Sequence, residues 1–212
     1  ACAAVERDHP GVTALYLAGC GADANTEPRG GRRQWVDVRR HGGALAREVG
    51  RVLRKETLSP VDGPLRTSLR TLELPLESDL SRDELERRAA GPEWQALNAK
   101  NALAALDRGE ELPRTYRTLV SLWRFGASLD LFGLPGETVS GYAFHAYSLV
   151  PDRPTWACGY CHDVFGYLPT ARIIAEGGYE TRGVLPPFVV TFASTVEDAV
   201  TQCLREMVED VW

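Results

Sequence analysis

The spacing of apolar residues along this 212-residue chain predicts both helices and strands. A 3.6-residue period, which indicates an amphipathic helix, occurs at residues 41–55, 94–106, 138–150 and 197–211. Short apolar or alternating runs, which predict strands, occur at residues 12–17, 65–76, 117–125, 128–132, 155–159 and 188–192. Gly126 and Ala127 separate two of these runs, as in a tight hairpin. We therefore expect one unit of mixed α/β class, a partial sheet with flanking helices.

Two local signals refine this prediction. The segment Ser81-Arg82-Asp83-Glu84 matches a capping box and predicts the start of a further short, charged helix. The helix expected over residues 138–150 places Val139, Tyr142 and Ala146 on one apolar face. His145 falls on the opposite, polar side, so we expect it to be exposed.

Composition excludes two broad classes of function. The chain is 44% hydrophobic and 25% charged, with a formal net charge of −5. Binding to nucleic acid without sequence preference needs a clustered excess of Lys and Arg, which an acidic chain lacks. No stretch approaches the roughly 18 to 20 consecutive apolar residues of a transmembrane segment. We therefore expect a globular protein that binds no nucleic acid and has no transmembrane segment.

The segment Cys158-Gly159-Tyr160-Cys161-His162 matches the pattern of c-type haem attachment and resembles a thioredoxin-like dithiol. A redox dithiol needs its first cysteine at the start of a helix, where the dipole lowers the thiol pKa. Here the segment follows a predicted strand and leads towards Pro169, which is unfavourable in a helix. Two interpretations stay open: buried thiols without a chemical role, or a haem or redox protein built on Cys158 and Cys161.

Two turns shaped by glycine and proline carry side chains that can bind a metal or handle a proton. Leu134-Pro135-Gly136-Glu137 follows an apolar run, and Glu137 is expected to begin the next helix, whose dipole favours an ionised carboxylate. Such an oxygen ligand suits Zn²⁺ or Mg²⁺. Tyr167, in Gly166-Tyr167-Leu168-Pro169-Thr170, could hydrogen-bond a substrate, donate a proton or bind a metal as phenolate. The alternatives are an ordinary first-turn glutamate and a core tyrosine.

Together with other segments, these turns resemble the second half of the catalytic domain of the neutral/alkaline non-lysosomal ceramidase family. The resemblance rests on five segments that occur in order along the chain, at residues 16–23, 117–126, 134–137, 166–170 and 177–180. It is greatest for the bacterial members with short forms of the domain. It implies that residues 1–212 form the C-terminal half of an incomplete catalytic domain, and that the N-terminal half lies outside this chain.

The resemblance also implies a cofactor and a reaction. In that family a zinc ion is held by two histidines from the first half of the domain and by a glutamate and a tyrosine from the second. By resemblance, Glu137 and Tyr167 are the metal ligands here, and the two histidines are expected outside this chain. The family hydrolyses the amide of ceramide, and zinc lowers the pKa of a bound water to about 7. The resemblance thus implies a zinc-dependent amidase for a lipid-like small molecule, in an extracytoplasmic or secreted setting.

One departure from the family pattern concerns the remaining candidate residues. The family places a serine two residues after an aspartate, whereas this chain has Asp23 followed by Asn25. Asn25 cannot be a nucleophile, although its amide could hydrogen-bond an oxyanion. Asp23 and Asn25 are therefore the catalytic candidates, and Tyr179 in Gly177-Gly178-Tyr179-Glu180 is the substrate-binding candidate. The departure keeps a further alternative open, a non-catalytic relative that binds a lipid or carbohydrate.

Overall fold

The computed structural model describes residues 1–27, 34–55, 58–91, 93–181 and 191–211. Its helices are α1 (Cys2–Asp8), α2 (Trp35–Lys55), α3 (Arg82–Ala89), α4 (Glu93–Asp107), α5 (Gly141–Leu149), α6 (Ala171–Glu176) and α7 (Val196–Asp210). Its strands are β1 (Leu65–Pro75), β2 (Thr115–Phe125), β3 (Leu129–Gly133), β4 (Glu137–Thr138), β5 (Thr155–Cys158) and β6 (Tyr167–Leu168). A short 3₁₀ helix covers Tyr179–Thr181. The predicted α/β class is confirmed.

The chain forms two compact units, of which the first comprises Ala1–Leu17 and Asn25–Val61. In this unit α1 packs against α2, a helix of 21 residues that contains the predicted helix of residues 41–55. The strand predicted at residues 12–17 is wrong, because these residues form no strand and Leu15 is 85% exposed. An apolar run becomes a strand only when a neighbouring strand pairs with its N–H and C=O groups.

The second unit comprises Ala18–Ala24 and Asp62–Trp212 and contains a four-stranded sheet in the order β1-β2-β3-β5. Strands β1, β2 and β3 are antiparallel neighbours, and β2 turns into β3 through the predicted hairpin at Gly126. Strand β5 lies parallel to β3, and the connection between them contains α5. Parallel neighbours require such a crossover connection, usually through a helix. Of the last predicted strand, residues 188–190 lie outside the described residues.

One face of this sheet carries the main core. Helix α7 packs on β1, and α5 packs on both β5 and α7. The buried side chains on this side include Leu74, Leu122, Phe132, Tyr142 and Leu204, none of which has measurable exposure. The helix predicted at residues 197–211 is confirmed, because its apolar stripe faces these strands.

A smaller cluster lies between α3 and α4, around Leu85, Ala99 and Ala102. The predicted cap at Ser81 is confirmed, since its hydroxyl accepts a hydrogen bond from the Glu84 N–H at 3.2 Å. Among the helices that the structure describes, none is both long enough and apolar enough to span a membrane.

Candidate metal centre and its supporting turns

Glu137 and Tyr167 lie side by side on two short parallel strands. In the ladder between β4 and β6, Glu137 is directly opposite Tyr167. The Glu137 N–H donates to the Gly166 carbonyl at 2.7 Å, and the Val139 N–H donates to the Leu168 carbonyl at 3.3 Å. The expectation that Glu137 begins a helix is wrong, because α5 begins only at Gly141. Backbone pairing with a strand thirty residues away positions Glu137, and no helix dipole is involved.

The two side chains interact directly. Burial and the charge of the Glu137 carboxylate raise the pKa of Tyr167 to about 12. Tyr167 therefore keeps its phenolic proton near neutral pH. Binding of a metal ion to this oxygen would displace that proton, as metal binding does for other protic ligands.

Tyr179 and Glu180 join this pair from the 3₁₀ helix. The rings of Tyr167 and Tyr179 meet edge to face, with centroids 5.4 Å apart and planes inclined at 86°. Glu180 is close enough for its charge to contribute to the raised pKa of Tyr167. We call Glu137, Tyr167, Tyr179 and Glu180 the oxygen cluster. Tyr179 is 52% exposed, so the cluster opens to the surface at this side chain.

The turn that carries Glu137 is bonded to the turn that contains the two cysteines. Four backbone hydrogen bonds join them: Leu134 N–H to Cys158 O at 2.8 Å, Cys161 N–H to Leu134 O at 2.9 Å, Tyr160 N–H to Gly136 O at 2.9 Å, and Gly136 N–H to Asp163 O at 2.6 Å. Tyr160 and His162 adopt positive φ angles of 59° and 64° to make this fit. Non-glycine residues rarely hold such angles, so the surrounding contacts impose this conformation.

The thiols in this turn have no sign of redox activation. As predicted from the sequence, the segment lies at the end of β5 and does not begin a helix. All five cysteines are free. Burial raises the pKa of Cys158 and of Cys161, whereas a reactive dithiol needs a lowered pKa. The His162 ring nitrogen Nε2 lies 2.9 Å from the Ser121 hydroxyl. The segment therefore supports the Glu137 turn mainly through its backbone.

The turn that carries Tyr167 is held by residues that sequence reasoning missed. The buried Tyr142 hydroxyl donates to the Pro169 carbonyl at 2.8 Å. The Glu197 carboxylate accepts from the Ala171 N–H at 2.7 Å and lies 2.5 Å from His145 Nε2. The expected exposure of His145 is therefore wrong, because it is partly buried against Glu197. No local pattern could have revealed these contacts, since their partners lie 26 to 52 residues apart.

Asp23 is bonded to Ser140, just before α5, and its carboxylate is occupied. Its two oxygens accept hydrogen bonds from the backbone N–H and the hydroxyl of Ser140, both at 2.7 Å. The neighbouring Ala22 N–H donates to the Thr138 carbonyl at 3.2 Å. Asp23 thus anchors its loop to Ser140, which lies three residues after Glu137. Asn25 belongs to the first unit and is exposed, and its role stays a prediction.

The donors present suit part of a zinc site. Catalytic zinc commonly takes three protein ligands and leaves a fourth position for water or substrate. Within the described residues, no group of three or more His, Cys, Asp and Glu side chains could hold a metal ion. Glu137 and Tyr167 provide two oxygen donors in register, so this chain fits zinc only together with ligands from elsewhere.

Comparison with solved structures identifies the architecture. Neutral ceramidase from Pseudomonas aeruginosa superposes with a TM-score of 0.59 and 16% identity, over 97% of this chain and 39% of that chain. The fold is ceramidase-like. A ceramidase complexed with C2 also matches, with a TM-score of 0.49 and 16% identity, over 81% of this chain and 34% of that chain. No family model matches the sequence, and no curated protein matches it.

The resemblance inferred from the sequence is thus confirmed at the level of the fold. At 16% identity, the superposition does not carry activity or ligands across to this chain. The chain also spans only 39% of the length of the Pseudomonas protein.

Proposed function

We propose that this chain is part of a zinc-dependent amidase that hydrolyses the N-acyl amide bond of ceramide or a related N-acyl lipid. Glu137 and Tyr167 are the metal ligands that it contributes. Two histidines from the N-terminal half of the domain, outside these 212 residues, complete the set. The ceramidase-like fold supports this assignment, and the length of the Pseudomonas protein leaves room for the other half.

The register between β4 and β6 is the observation that carries the proposal. It places a carboxylate and a phenol opposite each other, at a point where backbone hydrogen bonds join two turns. A first-turn glutamate would have explained Glu137 without any function. That explanation is removed, because Glu137 is in a strand and not in a helix.

The chain's own residues hold and orient the donors. Tyr167 keeps a proton on its phenolic oxygen, and strand pairing holds it opposite Glu137. Zinc, when bound, would polarise the amide carbonyl and lower the pKa of a bound water. Tyr179, packed edge-on against Tyr167 and half exposed, offers a ring and a hydroxyl where a substrate would approach.

The decisive experiment measures zinc and amide hydrolysis in the complete protein. We expect Glu137→Gln to weaken zinc binding at least about 100-fold, since even partners that only orient a ligand account for 10–100-fold. Tyr167→Phe should behave alike, because it removes the oxygen donor. Glu180→Gln is the matched control and should keep stoichiometric zinc. Zinc that stays stoichiometric in Glu137→Gln would contradict the ligand assignment.

The 212-residue chain alone provides a second test. Two oxygen donors are too few for a tight zinc site, so the isolated chain should hold less than one equivalent and hydrolyse nothing. Stoichiometric zinc that survives Glu137→Gln would overturn the proposal. A complete protein that binds N-acyl lipids without hydrolysing them would favour the non-catalytic alternative.

Tyr179→Phe separates substrate contact from metal binding. Removing this hydroxyl leaves Glu137 and Tyr167 in place, so zinc content should not change. We expect KM for an N-acyl sphingosine to rise by roughly fivefold, equivalent to one modest hydrogen bond. An unchanged KM would show that the substrate does not reach this hydroxyl.

A further inference from the structure

The ladder that places Glu137 opposite Tyr167 is short. It contains two residue pairs, Glu137 with Tyr167 and Thr138 with Leu168. Strands in globular proteins usually run for roughly three to ten residues, and a shorter ladder has few hydrogen bonds to resist sliding or opening. The position of Tyr167 therefore also depends on what holds the chain after β6.

Hydrogen bonds from two other helices hold the turn after β6. The Pro169 carbonyl accepts from the Tyr142 hydroxyl of α5 at 2.8 Å. Two residues later, the Ala171 N–H donates to the Glu197 carboxylate of α7 at 2.7 Å. Thr170, between these two contacts, is only 7% exposed. Because the segment between the contacts is buried, a displacement at Ala171 is passed back along the chain to β6.

Glu197 holds this turn from a rigid element. It lies in the first turn of α7, next to Val196, which has no measurable exposure in the core. Its side chain is 22% exposed, and its second oxygen, Oε1, lies 2.5 Å from His145 Nε2 on α5. Both carboxylate oxygens therefore have partners, and one side chain joins α5, α7 and the start of α6.

The N–H that Glu197 accepts has no partner inside its own helix. Ala171 is the first residue of α6, and the first N–H groups of a helix need acceptors from elsewhere. The Thr170 hydroxyl serves another of them, the Ile173 N–H, at 3.4 Å. Removal of the Glu197 carboxylate would leave the Ala171 N–H without this acceptor and would loosen the turn.

We infer that Glu197 is a positioning residue for the metal site, which holds the turn after β6 and thereby keeps Tyr167 opposite Glu137. It acts through the Ala171 backbone and is not itself a ligand. The inference rests on the proposed function, because it takes Tyr167 as a zinc ligand. Partners that only orient a ligand account for about 10–100-fold in metal affinity, so the loss of Glu197 should cost less than the loss of a ligand.

The zinc affinity of the complete protein, measured by competition with a chelator, tests this role. Glu197→Ala should raise the Kd for zinc about tenfold. Glu197→Gln should restore most of the affinity, because its amide oxygen can accept from the Ala171 N–H and its NH₂ group can donate to a neutral His145 ring. Asp198→Ala is the matched control, since it removes an exposed carboxylate from the same helical turn. Equal Kd values for Glu197→Ala and Asp198→Ala would overturn the inference.

The same hydrogen bond can be removed from its other end. Ala171→Pro deletes the donor, and proline is favoured at the first position of a helix. Thr170 already has the extended conformation that a following proline requires, with φ −79° and ψ 164°. We expect Ala171→Pro to weaken zinc binding as Glu197→Ala does, and the double variant to bind within about twofold of either single one. Additive losses would contradict the inference. If Glu197→Ala does not fold, Ala171→Pro alone decides, and an unchanged Kd would refute the role.

Two controls separate the failure of this inference from the failure of the proposed function. In the zinc-free complete protein, hydrogen exchange at residues 167–174 should be faster in Glu197→Ala than in Asp198→Ala, and equal rates would count against the anchoring contact. If Glu137→Gln binds zinc as tightly as the wild type, the proposed function fails and this inference fails with it. If Glu137→Gln loses zinc while Glu197→Ala keeps the wild-type Kd, the inference alone fails.

Discussion

Two turns meet beside β4 and β6, and they use their residues in opposite ways. The turn at residues 158–163 has a cysteine pair and a histidine, but its contribution is four backbone hydrogen bonds and two strained φ angles. The turn at residues 134–137 has no conspicuous pattern, yet it positions Glu137 opposite Tyr167. The comparison shows that a segment with reactive residue types can have a structural role. The chemistry then belongs to whichever side chains the support brings together.

Breaking the Glu137 turn should have the larger effect on stability. Gly136 has φ +68°, and a Cβ there would lie 2.8 Å from the Phe165 ring and 2.9 Å from the Gly166 carbonyl. We expect Gly136→Ala to cost about 3 kcal/mol, which combines left-handed backbone strain with overpacking. Urea denaturation with two-state analysis measures the loss.

Gly177→Ala is the matched control for this substitution. Gly177 has a similar φ of +74°, but a Cβ there meets nothing within 4 Å. With ψ −176° the residue lies in a region that is essentially restricted to glycine, so the substitution should cost only backbone strain, about 2 kcal/mol. Equal losses for the two glycines would show that the packing of Phe165 does not constrain the Glu137 turn.

The turn that carries Tyr167 should be less sensitive. Tyr142→Phe removes the hydroxyl that donates to the Pro169 carbonyl in a fully buried position. A buried acceptor left without its donor costs about 2 kcal/mol. The half-exposed Tyr147 on the same helix is the control, and Tyr147→Phe should change the free energy of unfolding by less than about 0.5 kcal/mol. If Tyr142→Phe lowers the free energy of unfolding by less than Tyr147→Phe does, Tyr142 does not help to fix the turn.

Much of the fold could be predicted from the sequence because its signals are local. The helix that ends in Asp210 and the hairpin at Gly126 depend on residues close together in the chain. The start of α5 was misplaced, because β4 exists only through its pairing with β6. The run at residues 12–17 was misassigned because its composition suits a strand but no strand pairs with it. Partners far away in the sequence decided these cases.

The candidate site could be predicted only in part, for the same reason. Turn chemistry and the family resemblance selected Glu137 and Tyr167, and neither residue was distinctive alone. The structure adds their register and the contact with Tyr179. It also gives Asp23 a clear anchoring contact, through two hydrogen bonds to a serine 117 residues away. A sequence pattern identifies residue types, whereas these assignments depend on which residues contact each other in the folded chain.

The smallest effect is expected where the sequence pattern is most conspicuous. Cys158 and Cys161 have pKa values raised by burial, and their turn contacts the Glu137 turn through backbone atoms. Replacing each by Ala removes one buried sulfur and leaves those backbone bonds possible, at a cost of about 1 kcal/mol or less per site. Zinc content and amide hydrolysis of the complete double variant should match the wild type. A change in either at unchanged stability would show that the thiols take part in the chemistry, and the contrast between the two turns would fail.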